Sequence, residues 1–585
     1  MDERGWNECD FIFVSGDAYI DHPSFAAALL CRVLEDAGYR AGIISQPDWK
    51  DTSSYAALGR PRLGFLIGAG SMDSMVAHYT AAKRKRSDDA YSPDGKSGMR
   101  PDRATLVYTE GIRRAFKNAP VIIGGIEASL RRFAHYDYWT DSLRRSILLD
   151  SKADILIYGM GEKPLLETAK RLDAGETLNE IRDVRGTCVR VHGKETVNQW
   201  KDAVFLPRYE DTKGKDEASL CAYAKHFMIQ EKNSDPLTAK TLVEENDGDR
   251  FVIQNPPAFP LTTEEMDHIY ELPFTRKAHP VYKDGINALK EVSFSLTSSR
   301  GCFGGCSFCA ITNHQGRAVT GRSKESLVRE AKRFEKHDDY KGYIHDVGGP
   351  TANFFRPVCK KQKLGGFCAD RECLYPSPCP NLIADHSEYL KTLDALQKIP
   401  GIKKVFIRSG IRFDFIQLDK KHGYKFLETL CEHHVSGQLK VAPEHVSSIV
   451  LDAMGKPGIT DNASVDNSAS DDSSLSCYEK FRNDFTAINK KLGLKQYLLP
   501  YFISAHPGAG MKEAEELSRY LKKTGFTPEQ TQEYYPTPGT MSAVMYHTGL
   551  DPRAYNEVSG TMRKIFTAKT DKERRAQKEM LTKNK

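Results

Sequence analysis

Three cysteines stand together in the run Ser299-Arg300-Gly301-Cys302-Phe303-Gly304-Gly305-Cys306-Ser307-Phe308-Cys309, spaced C-x3-C-x2-C among small and flexible residues. Thiolates are the ligands of iron–sulfur clusters, and a four-iron core normally takes four of them. With three, one iron keeps an open coordination site. A structural zinc ion is the competing reading. It asks for closely spaced pairs of Cys or His that close a tetrahedron, and His314 stands near enough in sequence to be a fourth ligand. Spacing and context favour the cluster over zinc or chance.

A second set follows. Cys359, Cys368, Cys373 and Cys379 are spaced C-x8-C-x4-C-x5-C in a loop rich in Gly and Pro (Gly365-Gly366, Pro376, Pro378, Pro380). Four thiolates can close a zinc tetrahedron or hold a second four-iron cluster. The spacing lacks the C-x2-C pairs of common zinc ribbons, so the metal stays open between an iron–sulfur cluster and zinc, with four ordinary loop cysteines as the bland reading.

The elements that must position these groups read as two successive alternating patterns. In the first 160 residues the strand candidates are Asp10 to Ser15, Arg40 to Ser45, Leu63 to Ile67, Val121 to Gly124 and Asp154 to Tyr158. An apolar helical pattern (Phe25, Leu29, Leu30, Val33, Leu34, Ala37) separates the first two and stops at Gly38. Continuous apolar strands joined by helices predict a parallel sheet covered on both faces, an α/β doubly wound, flavodoxin-like domain over 1–185. Residues 186–285, with polar spacers around short apolar pieces, read as a connector packed on the core. From 286 to 538 six strand candidates recur: Val292 to Thr297, Tyr343 to Val347, Lys404 to Ser409, Gln438 to Ala442, Leu498 to Ser504 and Gln530 to Tyr535. Amphipathic helices separate them, which predicts a partial (β/α)6 TIM-like barrel with its chemistry at the carboxyl ends of the strands. Thr460 to Ser476, rich in Asp, Asn and Ser, reads as a disordered insertion. Residues 539–585 read as a small C-terminal element and a basic, solvated helical tail that could bind RNA electrostatically.

Composition bounds the setting. The chain has 585 residues, 40% hydrophobic and 28% charged, enough for two or three domains with cores of their own. A formal charge of +6 is small for this length, so only its local distribution argues for an anionic partner. Thirteen cysteines, seven of them between Cys302 and Cys379, fit metal chemistry in a reducing compartment better than a disulfide framework. The start Met1-Asp2-Glu3 has no basic stretch leading into an apolar core, and no apolar run approaches ~18 residues. The expectation is a cytoplasmic protein with no membrane span.

The C-x3-C-x2-C spacing, with Phe308 directly before the last cysteine, resembles the signature of the radical S-adenosylmethionine (radical SAM) superfamily. The resemblance implies that the open iron chelates the amino and carboxylate groups of SAM, that the reduced cluster breaks the C–S bond, and that a 5'-deoxyadenosyl radical takes hydrogen from a substrate. It also implies an electron donor such as flavodoxin or ferredoxin. Further site residues follow from it at the strand ends. Gly348 and Gly349 look like the glycine turn for the SAM amino group, although Pro350 stands where an acidic residue is usual. Arg408 and Ser409 are placed for the carboxylate or ribose, and Glu444 for ribose hydroxyls.

The whole-chain arrangement resembles the YgiQ-type radical SAM family, carried by Gly16-Asp17-Ala18-Tyr19-Ile20-Asp21-His22-Pro23-Ser24-Phe25, the Cys302 triad, the four-cysteine loop and Val441-Ala442-Pro443-Glu444-His445. The expected activity is reductive SAM cleavage that starts hydrogen abstraction from an unknown substrate. Two alternatives stand beside it. The first is a cobalamin-dependent radical methyltransferase, since the glycine turns after Val121 to Gly124 and Asp154 to Tyr158 look like those of cobalamin-binding domains. The D-x-H-x-x-G loop of one group of cobalamin proteins is not matched, because His22 directly follows Asp21. The second is a non-enzymatic iron–sulfur protein that associates with RNA. A methylthiotransferase is disfavoured because Cys9, Cys31, Cys188 and Cys221 are scattered.

Overall fold

The structure, a computed structural model, describes residues 1–456, 476–526, 532–556 and 560–582. The chain divides into two compact units. The first comprises Met1–Ser293, Asn313–Gly316 and Thr537–Thr548, and the second Phe294–Thr312, Arg317–Pro536 and Gly549–Lys585.

The apolar runs near the N-terminus become strands of the first unit: β1 (Phe11–Ser15), β2 (Ala41–Ser45), β3 (Gly64–Gly68), β4 (Val121–Gly124) and β5 (Ile155–Ile157). They pair in parallel in the order β2-β1-β3-β4-β5. Side chains alternate across a strand, and β1 shows the consequence. Phe11 and Phe13 join the core that contains Leu34 and Leu165, while Ile12 and Val14 join the one that contains Tyr108 and Ile112. Helices therefore cover both faces. Helix Ala26–Asp36 stops where expected, with Gly38 at φ 91°.

The stretch 186–285 differs from its reading as a connector. It carries β6 (Thr187–His192), β7 (Val204–Phe205), β8 (Leu242–Asn246) and β9 (Arg250–Gln254), which extend the same sheet in the order β6-β9-β8-β7. The "polar spacer" is a hairpin, turning through Asp247-Gly248-Asp249 with Gly248 and Asp249 at positive φ. Its Glu244 is fully buried, 2.8 Å from His226 Nε2 and accepting from the Ala134 amide at 2.7 Å. Helix Met541–Thr548, expected in a C-terminal element, is buried throughout and belongs to this first unit.

One buried ion cluster closes the carboxyl ends of β1 and β3. Arg100, with no exposed side-chain surface, pairs with Asp17 at 3.1 Å and Asp89 at 2.8 Å and donates to the Ala69 carbonyl at 2.9 Å. Gly16 packs so tightly there that a Cβ would overlap the Ala69 carbonyl oxygen.

The second unit repeats a simpler pattern in chain order. Its strands are β10 (Ser295–Thr297), β11 (Tyr343–Ile344), β12 (Asp346–Gly348), β13 (Lys404–Val405), β14 (Gln438–Glu444), β15 (Tyr497–Ser504) and β16 (Gln532–Glu533). Each pairs in parallel with the next position in the series: β10 with β12, β11 with β13, Ile411 with Val441 of β14, β14 with β15, and β15 with β16. Several strands are shorter than their apolar runs suggest. Val292 ends a helix, Asn287–Val292, and only Lys404–Val405 of the third candidate is paired. Helices such as Lys324–Arg333, capped by Ser323, and Met511–Thr524, stopped at Gly525, lie between the strands. The expected disordered insertion from Thr460 lies outside the described residues up to 475.

The tail also departs from its solvated reading. Helix Asp571–Thr582 buries Arg574, Gln577 and Leu581, and Gln577 holds both the Ala505 amide (3.0 Å) and the Ala509 carbonyl (2.6 Å). Among the described residues no helix is long and apolar enough to cross a membrane.

Removing the cation from the Arg100 cluster leaves Asp17 and Asp89 buried without compensation. Arg100→Met is expected to destabilise the protein by about 3–5 kcal/mol, read as an earlier urea transition by circular dichroism.

Candidate functional site

The C-x3-C-x2-C loop is tied at both ends before any ligand is considered. Ser299–Arg300 pairs antiparallel with Thr320–Gly321. Gly301, at φ 81°, lies against the Ala318 carbonyl, where a Cβ would overlap the oxygen, so this turn requires glycine. Phe303 is fully buried and stacks on Phe354 with ring centroids 3.7 Å apart. Ser307 fastens the far side to the end of helix Ser448–Met454, donating its amide to the Met454 carbonyl (3.0 Å) and its hydroxyl to the Ala453 carbonyl (2.7 Å).

Burial raises all three thiols above their ordinary range, and the three interact with one another. Two cations oppose that burial at Cys306: Lys456 and Arg412 both favour its thiolate. Arg412 Nη1 donates to the Gly304 carbonyl at 3.4 Å and lies 3.5 Å from Cys306 Sγ. Its other nitrogens grip Asp414 at 2.9 and 2.5 Å. Burial disfavours the Asp414 carboxylate, and Arg412 more than offsets it, holding the group below the usual range. A relay of buried polar groups fixes Arg412 from behind. Asn353 exchanges hydrogen bonds with its backbone (2.9 and 3.1 Å) and lies 3.2 Å from His386 Nε2, and His386 Nδ1 lies 2.9 Å from Asp419.

The strand ends gather the other expected residues. Asp346 accepts from the Arg408 amide (2.8 Å), the Ser409 amide (3.2 Å) and the Ser409 hydroxyl, which fixes where that hydroxyl points. The Arg408 side chain itself is exposed. Gly348 and Gly349 are close-packed. A Cβ on Gly348 would overlap the Ser409 hydroxyl, and one on Gly349 would stand 2.7 Å from Ser299 Oγ, a buried hydroxyl with no hydrogen-bond partner. Glu444 follows a register shift after Val441 and adopts φ 68°, a left-handed conformation that costs a non-glycine residue energy and is typical of functional sites. Its carboxylate is buried 3.7 Å from Lys456 Nζ, which also donates to the Ala442 carbonyl. Burial raises the Glu444 carboxyl, and Lys456 and Arg412 pull it back. Phe308 meets His506 edge-on at 5.9 Å, and burial lowers both His506 and His445 to about 3, so both rings are neutral.

The four-cysteine loop belongs to the same unit. Cys373 packs against the apolar cluster that contains Cys302 and Phe303. Among the described residues no three Cys, His, Asp or Glu side chains converge as the ligands of one metal ion do. Thiolates that bind separate irons of a four-iron core have no need to meet at one point. His314 belongs to the first unit, where its Nδ1 lies 3.1 Å from Ser129 Oγ.

A family model described as "Radical SAM N-terminal" matches residues 1–295, and one described as a domain of unknown function (DUF3362) matches 529–584. UPF0313 proteins from Clostridium botulinum (strain ATCC 19397 / Type A) and Clostridium perfringens (strain 13 / Type A) are 49% and 50% identical to this chain. The matches cover 99% of it and 85% and 83% of those relatives. The chain belongs to the YgiQ-type radical SAM family. Its fold is similar to that of the radical S-adenosylmethionine methyltransferase TsrM from Kitasatospora setae, a structure with tryptophan substrate and a SAM analogue bound. The TM-score is 0.51 at 12% identity, over 96% of this chain and 85% of that one. The family brings the radical SAM setting and an α/β fold with a large, mostly parallel sheet.

Four residues of this site carry no sequence signal of their own. Arg412, Asp414 and Lys456 lie more than a hundred positions from the cysteines they serve, and Asp346 reads as ordinary strand punctuation before a glycine pair. Replacing Arg412 with Met strands Asp414 in the interior. The expected loss is about 3–5 kcal/mol in urea unfolding of the apo-protein, and Arg412→Lys should recover part of it because the charge is kept while the fork-like grip is lost.

Proposed function

We propose that the protein is a radical SAM enzyme in which Cys302, Cys306 and Cys309 hold a four-iron, four-sulfur cluster and the carboxyl ends of β12, β14 and the segment after β13 hold SAM. With both bound, the cluster supplies the electron that cleaves the C–S bond of SAM and starts hydrogen abstraction. The observation that carries this reading is the buried triad itself, three interacting thiols on a fixed loop with Arg412 and Lys456 beside Cys306, in a chain of this family.

The chain's own residues divide the remaining work. Arg412 donates toward the Cys306 sulfur and so favours the thiolate that an iron needs. Gly348 and Gly349, without side chains, let the SAM amino group approach the turn, whose Gly348 carbonyl is fixed by the Ser298 amide (2.7 Å) and hydroxyl (3.2 Å). Asp346 accepts from the Ser409 hydroxyl and the Arg408 amide, so the Ser409 oxygen is turned to accept from ribose hydroxyls and the cationic Arg408 side chain is assigned to the carboxylate. Glu444, held in place by its backbone and by Lys456, accepts from ribose hydroxyls. Phe308 lies on the ring of His506 and shields the site on that side. The partial (β/α)6 barrel belongs to this reading, supported by six parallel positions paired in chain order, and so does a flavodoxin-like first domain, supported by the order β2-β1-β3-β4-β5. So do a reducing, cytoplasmic setting, which the thirteen cysteines suit, and a low-potential donor such as flavodoxin or ferredoxin.

At the crevice between β1 and β3 the chain's own polar groups stand where a corrinoid would bind. Open α/β sheets take ligands in the crevice outside the carboxyl ends of their strands, where the strand order reverses. Here that crevice, between β1 and β3, is filled by Arg100 with Asp17 and Asp89, and Gln46 closes it further by donating to the Gly16 carbonyl (3.0 Å) and Ser92 (2.8 Å). The turn after β5 is held by the helix that follows β4. Ser129 Oγ accepts from the Gly159 amide at 3.1 Å and contacts His314. His22 is buried with Nε2 2.7 Å from Arg276 and Nδ1 accepting from the Ser24 amide at 3.1 Å, so neither nitrogen is free to ligate cobalt. No step of the proposed chemistry runs through cobalamin.

The reading is tested by anaerobic reconstitution followed by dithionite and SAM. Wild type is expected to release 5'-deoxyadenosine, and the Cys302→Ala/Cys306→Ala/Cys309→Ala variant none above background. Equal release from both would overturn it.

A further inference from the structure

The four-cysteine loop holds ligand chemistry that the reading above leaves unused. From Val358 to Leu382 its regular structure among the described residues is a single helical turn, Lys360–Lys363, with Cys359 at the N-cap. Yet its interior is well buried, with Phe367 and Leu374 at 3% and 1% exposure. All four thiols are free and partly buried. Cys373 is held closely: Gln362 Nε2 donates to its sulfur at 3.6 Å, and the Cys379 amide donates to its carbonyl at 2.8 Å.

Arg317 is the independent second sign. It is 4% exposed, and its guanidinium draws the loop around itself. It donates to the carbonyls of Cys368 (2.9 Å) and Arg371 (2.8 Å), pairs with Glu372 at 2.7 Å and lies over the Phe367 ring at 4.8 Å. Its Nε–H has no acceptor. A buried donor left unsatisfied costs about 1–3 kcal/mol, and this one belongs to a cation whose other nitrogens hold the backbone of the cysteine loop. An anionic, sulfur-rich group is the acceptor that such a donor suits.

A single zinc ion and a cluster ask different things of four sulfurs. The sulfurs around zinc must all reach one point, each about 2.3 Å away. A four-iron core meets each thiolate at a different iron, so its ligands stand apart. The loop also abuts the first cysteine set. A Cβ on Gly305 would overlap the Glu372 carboxylate, and Cys373 shares an apolar cluster with Cys302.

We propose that Cys359, Cys368, Cys373 and Cys379 hold a second four-iron, four-sulfur cluster, with Arg317 Nε–H donating to it. The proposal rests on the radical SAM reading only for the identity of the first core. Its test is anaerobic reconstitution of the full chain with iron and sulfide, then metal and sulfide analysis and Mössbauer spectroscopy with and without SAM.

Wild type is expected to hold about eight irons per chain with negligible zinc, two four-iron cores, of which SAM perturbs one and leaves the other unchanged. The variant with all four loop cysteines changed to Ser should keep about four irons, still sensitive to SAM. The Cys302→Ala/Cys306→Ala/Cys309→Ala variant should keep about four that are insensitive to it. That last result separates a failure of this proposal from a failure of the radical SAM reading. Wild type with about four irons and one zinc, or with about four irons all belonging to a SAM-sensitive core, overturns the proposal. If the loop variant does not fold, the wild-type spectra decide alone: two populations support a second cluster, and one excludes it.

Discussion

Burial holds the three thiols back from ionising, and Arg412, anchored on Asp414, is one of the two cations through which the fold favours the thiolate at Cys306. Charge buried without compensation is expensive. Arg412 reaches Cys306 with one nitrogen and anchors itself on Asp414 with the others, so the cation cannot swing away. Asn353, His386 and Asp419 support it in turn. Lys456, at the end of the helix that also fastens Ser307, adds the second cation and holds Glu444. The cysteine loop, the strand ends and the helix after β14 are thus tied to one electrostatic requirement.

Both units keep unusual polar features at the carboxyl ends of their strands. In the first, Arg100 and its two aspartates lie in the crevice, Gln46 adopts left-handed backbone, and Gln46 Oε1 and Arg100 Nε have no hydrogen-bond partner. In the second, the same positions keep unusual features: Glu444 and Ala505 in left-handed backbone, Ser299 with an unpartnered hydroxyl, and a glycine pair close-packed on polar oxygens. Strain and unsatisfied polar groups are retained where a ligand makes use of them. The proposed chemistry is placed at the strand ends of the second unit.

Much of this arrangement was legible in the sequence, and the rest was not for physical reasons. The triad and Gly348-Gly349 stand out because their chemistry is compressed into a few residues. The parallel strands of the first sheet stand out because a strand buried on both faces is apolar throughout, as in Phe11–Ser15. The hairpin Leu242–Gln254 was hidden because its strand carries a buried glutamate, whose cost is offset by His226 rather than avoided. The tail reads as solvated because its charges dominate, yet Gln577 and Leu581 give it a face that packs. Arg412, Asp346 and Lys456 were missed because their roles rest on contacts between residues distant in the chain.

The central claim is that Cys302, Cys306 and Cys309 leave one iron open to SAM. It is tested most directly by electron–nuclear double resonance on the reduced, reconstituted protein with SAM labelled by ¹⁵N at the amino group and ¹⁷O at the carboxylate. The account predicts that both labels couple strongly to the cluster spin, and that the coupling is absent from the triad variant. A reduced cluster that shows no coupling to either label at saturating SAM would contradict it.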